Sequence, residues 1–237
     1  MVSKKNNAIE LKLLTSNATR SLLDTLVAEF ERVSGHKVAV THDSAKVMLS
    51  RIKAGETADV AVLLSPAIEA LVHLGTITAS SSRIFSRSHI GIGIRAGSSK
   101  PDISTVCAFK RTLLEAKSIA HTVNGASGMC FPALAERLGL TELIRHKVVT
   151  RPGGLIGPVV VAGDAEIAFQ QISELLAVPG IDVVGPIPAE LQTIIESSAG
   201  IFADSIHSTA ARSLLEFFAS STSAEKFRVK GLEPALS

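Results

Sequence analysis

Tryptophan and tyrosine are absent from the 237 residues, and nine phenylalanines are the whole aromatic complement. A site that clamps a sugar or stacks a base can draw on Phe alone, which weighs against both readings. Only two cysteines, Cys107 and Cys130, occur, without CxxC spacing. Buried free thiols are therefore expected rather than a disulfide or metal pair. An excess of either charge is missing as well, since 24 Lys plus Arg against 22 Asp plus Glu leave a formal charge of +2. Nucleic-acid binders need a basic surplus to displace counterions, so no nucleic-acid partner is expected. No apolar run approaches the ~18 residues of a membrane span, so membrane insertion is not expected. Nor does an apolar stretch of about seven residues or more follow Lys4 and Lys5, as a signal peptide requires. As written, the chain is expected in the cytoplasm; if a leader has been trimmed, the expectation is periplasmic.

The usual chemical signatures are also missing. There is no GxxxxGK[ST], the glycine turn at Gly125 lacks GxGxxG spacing, HExxH is absent, and the seven histidines do not cluster in sequence. Nucleotide and metal sites are disfavoured, and no cofactor is expected. Gly125-Ala126-Ser127-Gly128 contains a serine without the GxSxG spacing of a hydrolase elbow.

What is present is a well-mixed composition, 46% hydrophobic and 19% charged, with ample material for a core. The length suits two lobes of about 100 residues as well as one large α/β domain. Apolar strands alternate with amphipathic helices, the pattern of βαβ units and a parallel sheet. Ile9, Leu11 and Leu13 predict a strand; Leu22, Leu23, Leu26, Val27 and Phe30 describe one helix face, stopped by Gly35. The plan repeats with Val38 and Val40, then Ala45, Met48, Leu49 and Ile52, closed by Gly55. Asp59–Leu64 is a continuous apolar strand, with Ser65 as cap, Pro66 at the first helical position and Gly75 beyond the helix. Ile90, Ile92 and Ile94 alternate with Gly91 and Gly93, predicting a strand closely approached on its glycine face and crossing into a second lobe. There, Ser104 is expected to cap a helix through Phe109 and Leu113, and the turn Asn124–Gly128 to open another that ends at Gly139. Short strands are expected at 118–121, 148–150 and 165–169, a short helix at 159–162, and helices after Ser208 and over 224–229. Residues 182–188 are taken as the way back to the first lobe.

Three turns share one design: a strand ending in small or hydroxylated residues at the start of a helix. They are Ser16 with Asn17 and Thr19, Ser44 after Asp43, and Ser127 within Gly125–Gly128. Helix-terminal amides attract anions, and each serine alone also reads as an ordinary N-cap. Three such turns at successive strand ends point to an oxyanion site, where open α/β sheets bind ligands.

The opening strand with Ser16, then Phe30, Glu31, Gly35, Val38, Ser44, Ile52, Gly55, Ala58, Asp59 and Val60, resembles the type II periplasmic solute-binding fold, specifically its molybdate-binding-protein-like branch. The resemblance continues through Asn124–Gly128, Leu138, Gly139, Gly163–Glu166, Gly231, Leu232 and Pro234, nearly the whole chain. It implies an α/β fold of two lobes with a central cleft and two crossing strands, residues 1–85 with 192–237 forming one lobe and 86–191 the other. It also implies a small anion held by hydroxyls and amides of Ser16, Asn17, Ser44, Ala126 and Ser127 with the Leu155-Ile156 turn, and, if the protein is exported, an ABC permease as partner of a monomer. Where molybdate binders commonly offer a tyrosine after the 165–169 strand, this chain has Gln170 and Gln171. Phe169-Gln170-Gln171, Ser173-Glu174-Leu175 and Gly185–Gln192 look closer to a signal-less subgroup similar to aconitate isomerases. An isomerase of that kind implies a proton-exchanging group, for which His42 is the candidate beside Asp43 and His121. Arg20 and Gln170 are the candidates to hold a tricarboxylate.

Overall fold

A computed structural model describes residues 8–235. In chain order the elements are β1 (Glu10–Ser16), α1 (Arg20–Ser34), β2 (Lys37–Asp43), α2 (Ala45–Lys53), β3 (Val60–Leu64), α3 (Ser65–His73) and β4 (Arg83–Ser88). They continue with β5 (Ile90–Arg95), α4 (Val106–Glu115), β6 (Ile119–Thr122), α5 (Ala126–Arg137), α6 (Thr141–Ile144), β7 (Val148–Arg151) and α7 (Gly157–Ala162). The chain closes with β8 (Ile167–Gln171), α8 (Ile172–Leu175), β9 (Ile181–Pro186), β10 (Ile195–Ile201), α9 (Ser208–Phe218), α10 (Ala224–Val229) and β11 (Leu232–Pro234).

The strands form two sheets, ordered β11-β4-β10-β3-β1-β2 and β7-β6-β8-β5-β9. β1 pairs in parallel with β2 and β3, and β6 in parallel with β7 and β8; the antiparallel members are β10 and β11 in the first sheet and β5 in the second. The backbone passes between sheets twice, through His89 from β4 to β5 and through residues 187–194 from β9 to β10. The architecture is a two-lobed α/β fold with a central cleft between the two sheets. Among the described residues no helix is long and apolar enough to cross a membrane.

The first sheet is covered on both faces, which is why β3 reads as an unbroken apolar run. In β3, Val60 and Val62 join the cluster with Leu22, Phe30, Leu214 and Phe218, while Ala61 and Leu63 face Met48, Ile52, Ile68 and Leu71. In β5, Ile90, Ile92 and Ile94 pack with Phe109, Leu113 and Phe169. A Cβ on Gly93 would lie 2.8 Å from Leu175 Cδ2, and one on Gly91 2.7 Å from Ile172 Cγ1. The close approach expected at the glycine face is thus made by α8 together with β9, whose Gly185 carbonyl oxygen would lie 2.6 Å from a Cβ on Gly91.

Several local expectations shift. Thr105 rather than Ser104 caps α4, its hydroxyl accepting from the Ala108 amide at 3.1 Å, because Ser104 is turned to Asp102. Ser65 is the first residue of α3 and its hydroxyl pairs with Ser198 at 2.8 Å instead of capping. Likewise, Ser208 begins α9 while His207 stands at its cap. β8 starts two residues later than expected and runs on to Gln171, which carries both glutamines into the strand. Both cysteines are free, but Cys107 is exposed and Cys130 half-buried, so neither is the buried thiol expected.

Candidate functional site

The C-terminal ends of β1, β2 and β3 and those of β6 and β8 open toward one cavity between the two sheets. From the first sheet it is lined by Ser16, Asn17, Ala18, Ser44, Ala45 and Leu64, and from the second by Gly125, Ala126, Gly154, Gln171 and Glu174. Its free volume is about 10 Å³, the room of one water molecule. A larger solute can enter only if the walls separate. Their contact is close: a Cβ placed on Gly153 would lie 3.1 Å from the Ser44 Cβ and 3.4 Å from its Oγ.

The first wall consists of turns that begin helices. Ser16 ends β1 in extended conformation and leads through the tight turn Asn17–Thr19 into α1. Thr15 and Thr19 clasp this turn, their hydroxyls 2.7 Å apart, so Ser16 is not needed to hold it. Ser44 stands at the N-cap of α2, with its own amide donating to Asp43 Oδ1 at 2.7 Å. Neither serine hydroxyl makes a capping bond, although both residues are buried. Ser16 Oγ has no partner among the described residues. A buried hydroxyl left unpaired costs about 1–3 kcal/mol, which a cap-only serine would have no reason to bear.

The second wall contains the N-terminus of α5 and the end of β8. Side chains at Gly125 and Gly128 would overlap Thr122, so glycine at both positions lets the first turn of α5 lie on the end of β6 and brings its amides to the cavity. Ser127 Oγ is fully buried and unpartnered, although Ser127 itself does not line the cavity. Gln170 has a positioning role: its Oε1 accepts from the Ile156 amide at 2.9 Å and its Nε2 donates to the Gly154 carbonyl at 2.9 Å. The Ile156 amide is therefore occupied, and the turn presents Gly154 rather than Leu155-Ile156 to the cavity.

Gln171 and Glu174 were not singled out as site residues from the sequence. Gln171 Nε2 donates to Glu174 Oε2 at 3.2 Å, while Gln171 Oε1 and the neighbouring Ser173 Oγ are buried without partners among the described residues. Burial pushes the Glu174 carboxyl up to about 8, against a smaller opposing pull from the Gln171 hydrogen bonds. It is neutral for the most part at pH 7. The sequence carries one signal of this, the polar run Gln170-Gln171 and Ser173-Glu174 at the end of an apolar strand, but only the tertiary fold shows that it is buried.

Arg20 and His42 fall outside the cavity lining. Arg20 is more than half exposed and lies 3.9 Å from Asp24; His42 Nε2 is 3.2 Å from the same carboxylate. Burial lowers the His42 pKa, with Asp24 opposing. His121 is packed against Phe131, ring centroids 4.6 Å apart, its Nδ1 2.9 Å from the Thr122 carbonyl oxygen, and is also lowered by burial. Among the described residues, no group of three or more His, Cys, Asp or Glu side chains could hold a metal ion.

With this geometry in place, the relatives can be compared. The sequence profile of the bacterial extracellular solute-binding proteins matches residues 11–233. An aconitate isomerase of a Pseudomonas species is 33% identical over 229 residues, which cover 94% of this chain and 87% of that protein. In fold, the chain is similar to the periplasmic molybdate-binding protein of Azotobacter vinelandii, with a TM-score of 0.79 and 17% identity over 94% of this chain and 98% of that one. It is also similar to the sulfate-binding protein of Mycobacterium tuberculosis, with a TM-score of 0.78 and 18% identity over 95% and 87%.

Proposed function

Since the chain belongs to the bacterial extracellular solute-binding proteins, we propose that it closes its cleft on a small anion, a tetrahedral oxyanion or a di- or tricarboxylate. The single observation that carries this reading is the buried Ser16 hydroxyl, set at a helix entrance on the cavity wall with no capping bond and no partner among the described residues. An anion accepting from Ser16, Ser44 and the α5 amides would satisfy these donors with charge-assisted bonds. In this reading, residues 1–85 with 192–237 and residues 86–191 move as two bodies about the two crossings, and Ser127 and Asn17 complete the donor set. If the protein acts outside the cytoplasm, an ABC permease is the partner that receives the solute from a monomer.

The test is thermal melting against molybdate, tungstate, sulfate, citrate and trans-aconitate, because a ligand stabilises only the state it binds. A rise in Tm with at least one of them supports anion capture. No rise with any of them removes it.

A second reading has its own support in Glu174 and the 33% identical relative: isomerisation of trans- to cis-aconitate. In this reading the ionised fraction of Glu174, the minor form at neutral pH, would take a proton from the allylic methylene, and the electron pair would delocalise through the double bond into the adjoining carboxylates. The same proton would then return to the former vinyl carbon, shifting the double bond with no net change in protons or electrons. His42 and Arg20 would act only from outside the cavity. The assay is the appearance of cis-aconitate without added metal or nucleotide. Product at the level of the buffer control would leave binding alone.

A further inference from the structure

Glu174 is a carboxyl in a cleft read here as an anion site, an arrangement that as an ionised pair would repel its own ligand. It lines the cavity directly opposite the helix entrance of the first wall, because α8 packs against the Asn17–Thr19 turn of that wall. Its side chain is buried, and one oxygen accepts from Gln171 while no cation among the described residues answers it.

Charged groups on the elements packed around α8 are all engaged elsewhere or distant from the carboxyl. On β5, Arg95 donates to the Val161 carbonyl; on β9, Asp182 accepts from the Gly97 amide. Beyond the Asn17–Thr19 turn, Arg20 pairs with Asp24, and on the far side of α8, Arg228 reaches Glu225 while Glu233 lies near His89. β8 contributes only the neutral Gln170 and Gln171. None of these charges contributes to the shift of Glu174, which comes from burial and from glutamine hydrogen bonds.

We propose that Glu174 is a ligand-contacting residue that enters the closed cleft as the neutral acid and donates its hydrogen bond to the bound anion, so that the protein takes up a proton as it captures its ligand. The inference rests on the anion-capture reading and adds to it the protonation state of the site. Separation of the walls would hydrate the carboxyl and let it ionise; closure on an anion would remove that water and add a negative neighbour, both of which favour the protonated form. Such a site selects anions that offer an unprotonated oxygen to Glu174.

Titrations of trans-aconitate and of molybdate, each in two buffers of different ionisation enthalpy near pH 8.5, count the protons exchanged on binding. Uptake of a substantial fraction of one proton per anion is expected from the wild-type protein. Affinity should weaken by up to about tenfold per pH unit above the range where the empty carboxyl titrates. In Glu174→Gln, which keeps the shape and a donor, uptake should vanish and affinity should become independent of pH between 7 and 9. Infrared difference spectra of the wild-type protein give an independent readout, the protonated-carboxyl C=O stretch growing as anion is added. The two histidines near the cleft are pushed below their ordinary range and contribute nothing at this pH. Tight binding without proton uptake, or equal uptake by wild type and Glu174→Gln, would overturn the proton-linked role and leave anion capture standing. Absence of binding by either anion at every pH would overturn both.

Discussion

The two walls of the cleft present different chemistry. The first offers Ser16, Asn17 and Ser44, small donors at the entrances of helices, with no titratable side chain in the lining. The second offers backbone from Gly125, Ala126 and Gly154, an amide from Gln171 and the one titratable lining group, Glu174. Neutral donors on one side can hold an anion at any pH, whereas a carboxyl on the other makes the site respond to protons. The first wall is accordingly suited to affinity and the second to discrimination.

The largest effect expected on this division comes from keeping the walls apart. A Cβ at Gly153 already falls within 3.1 Å of Ser44, so Gly153→Val should wedge the cleft open and cost about 2–3 kcal/mol of anion binding, tens to a hundredfold in Kd. Calorimetric titration gives the affinity, and small-angle scattering with excess anion should show the variant failing to compact. Unchanged compaction would mean that the walls do not close against each other here.

Next in size is the pH dependence of stability without ligand. Glu174 is raised to about 8 in the folded chain from an ordinary value of 4.5. Between those values the folded state holds a proton that the unfolded state has lost, so stability is highest below the lower value and falls as pH rises to the upper one. Chemical denaturation of the wild type should lose on the order of a few kcal/mol between pH 5 and 8, and Glu174→Gln should lose distinctly less. Parallel curves for the two proteins would place Glu174 in solvent rather than in the closed cleft.

On the first wall, Ser16→Ala should weaken anion binding by roughly 1–3 kcal/mol. Stability without ligand should hold or rise slightly, because the change deletes a buried hydroxyl that has no partner. A loss of stability would instead mark the serine as structural. Ser44→Ala should weaken binding in the same range, and titration calorimetry separates the two contributions. Smallest of all, Arg20→Ala and His42→Ala should change Kd less than about threefold, since both side chains stand outside the lining and pair with Asp24 at an exposed position.

What could be read from the sequence follows the same division. Ser16 and Ser44 were visible because a hydroxyl between an apolar strand and an amphipathic helix is a local signal. The glycines of β5 were visible for a similar reason, alternating with isoleucines in a short strand. β4 and β10 were not anticipated. Ile195-Glu196-Ser197-Ser198-Ala199-Gly200-Ile201 carries little apolar surface, and it becomes a strand because β3 and β4 flank it on both sides. Glu174 was hidden for a related reason: its sequence neighbours do not reveal that the turn Asn17–Thr19, far away in the chain, covers it. Sequence proximity pointed to Arg20 and His42, one on the first turn of α1 and one near the end of β2, but neither lines the cavity and both lie beside Asp24.

Anion capture by the cleft turns first on the buried Ser16 hydroxyl, which has no partner among the described residues. Calorimetric titration of wild type and Ser16→Ala, near pH 6.5, with trans-aconitate, citrate, molybdate and sulfate measures this directly. The expected result is one-to-one binding of at least one of these anions by the wild type, weakened about tenfold or more in the variant. Binding of equal strength by both proteins, or of none of the four by the wild type, would contradict it.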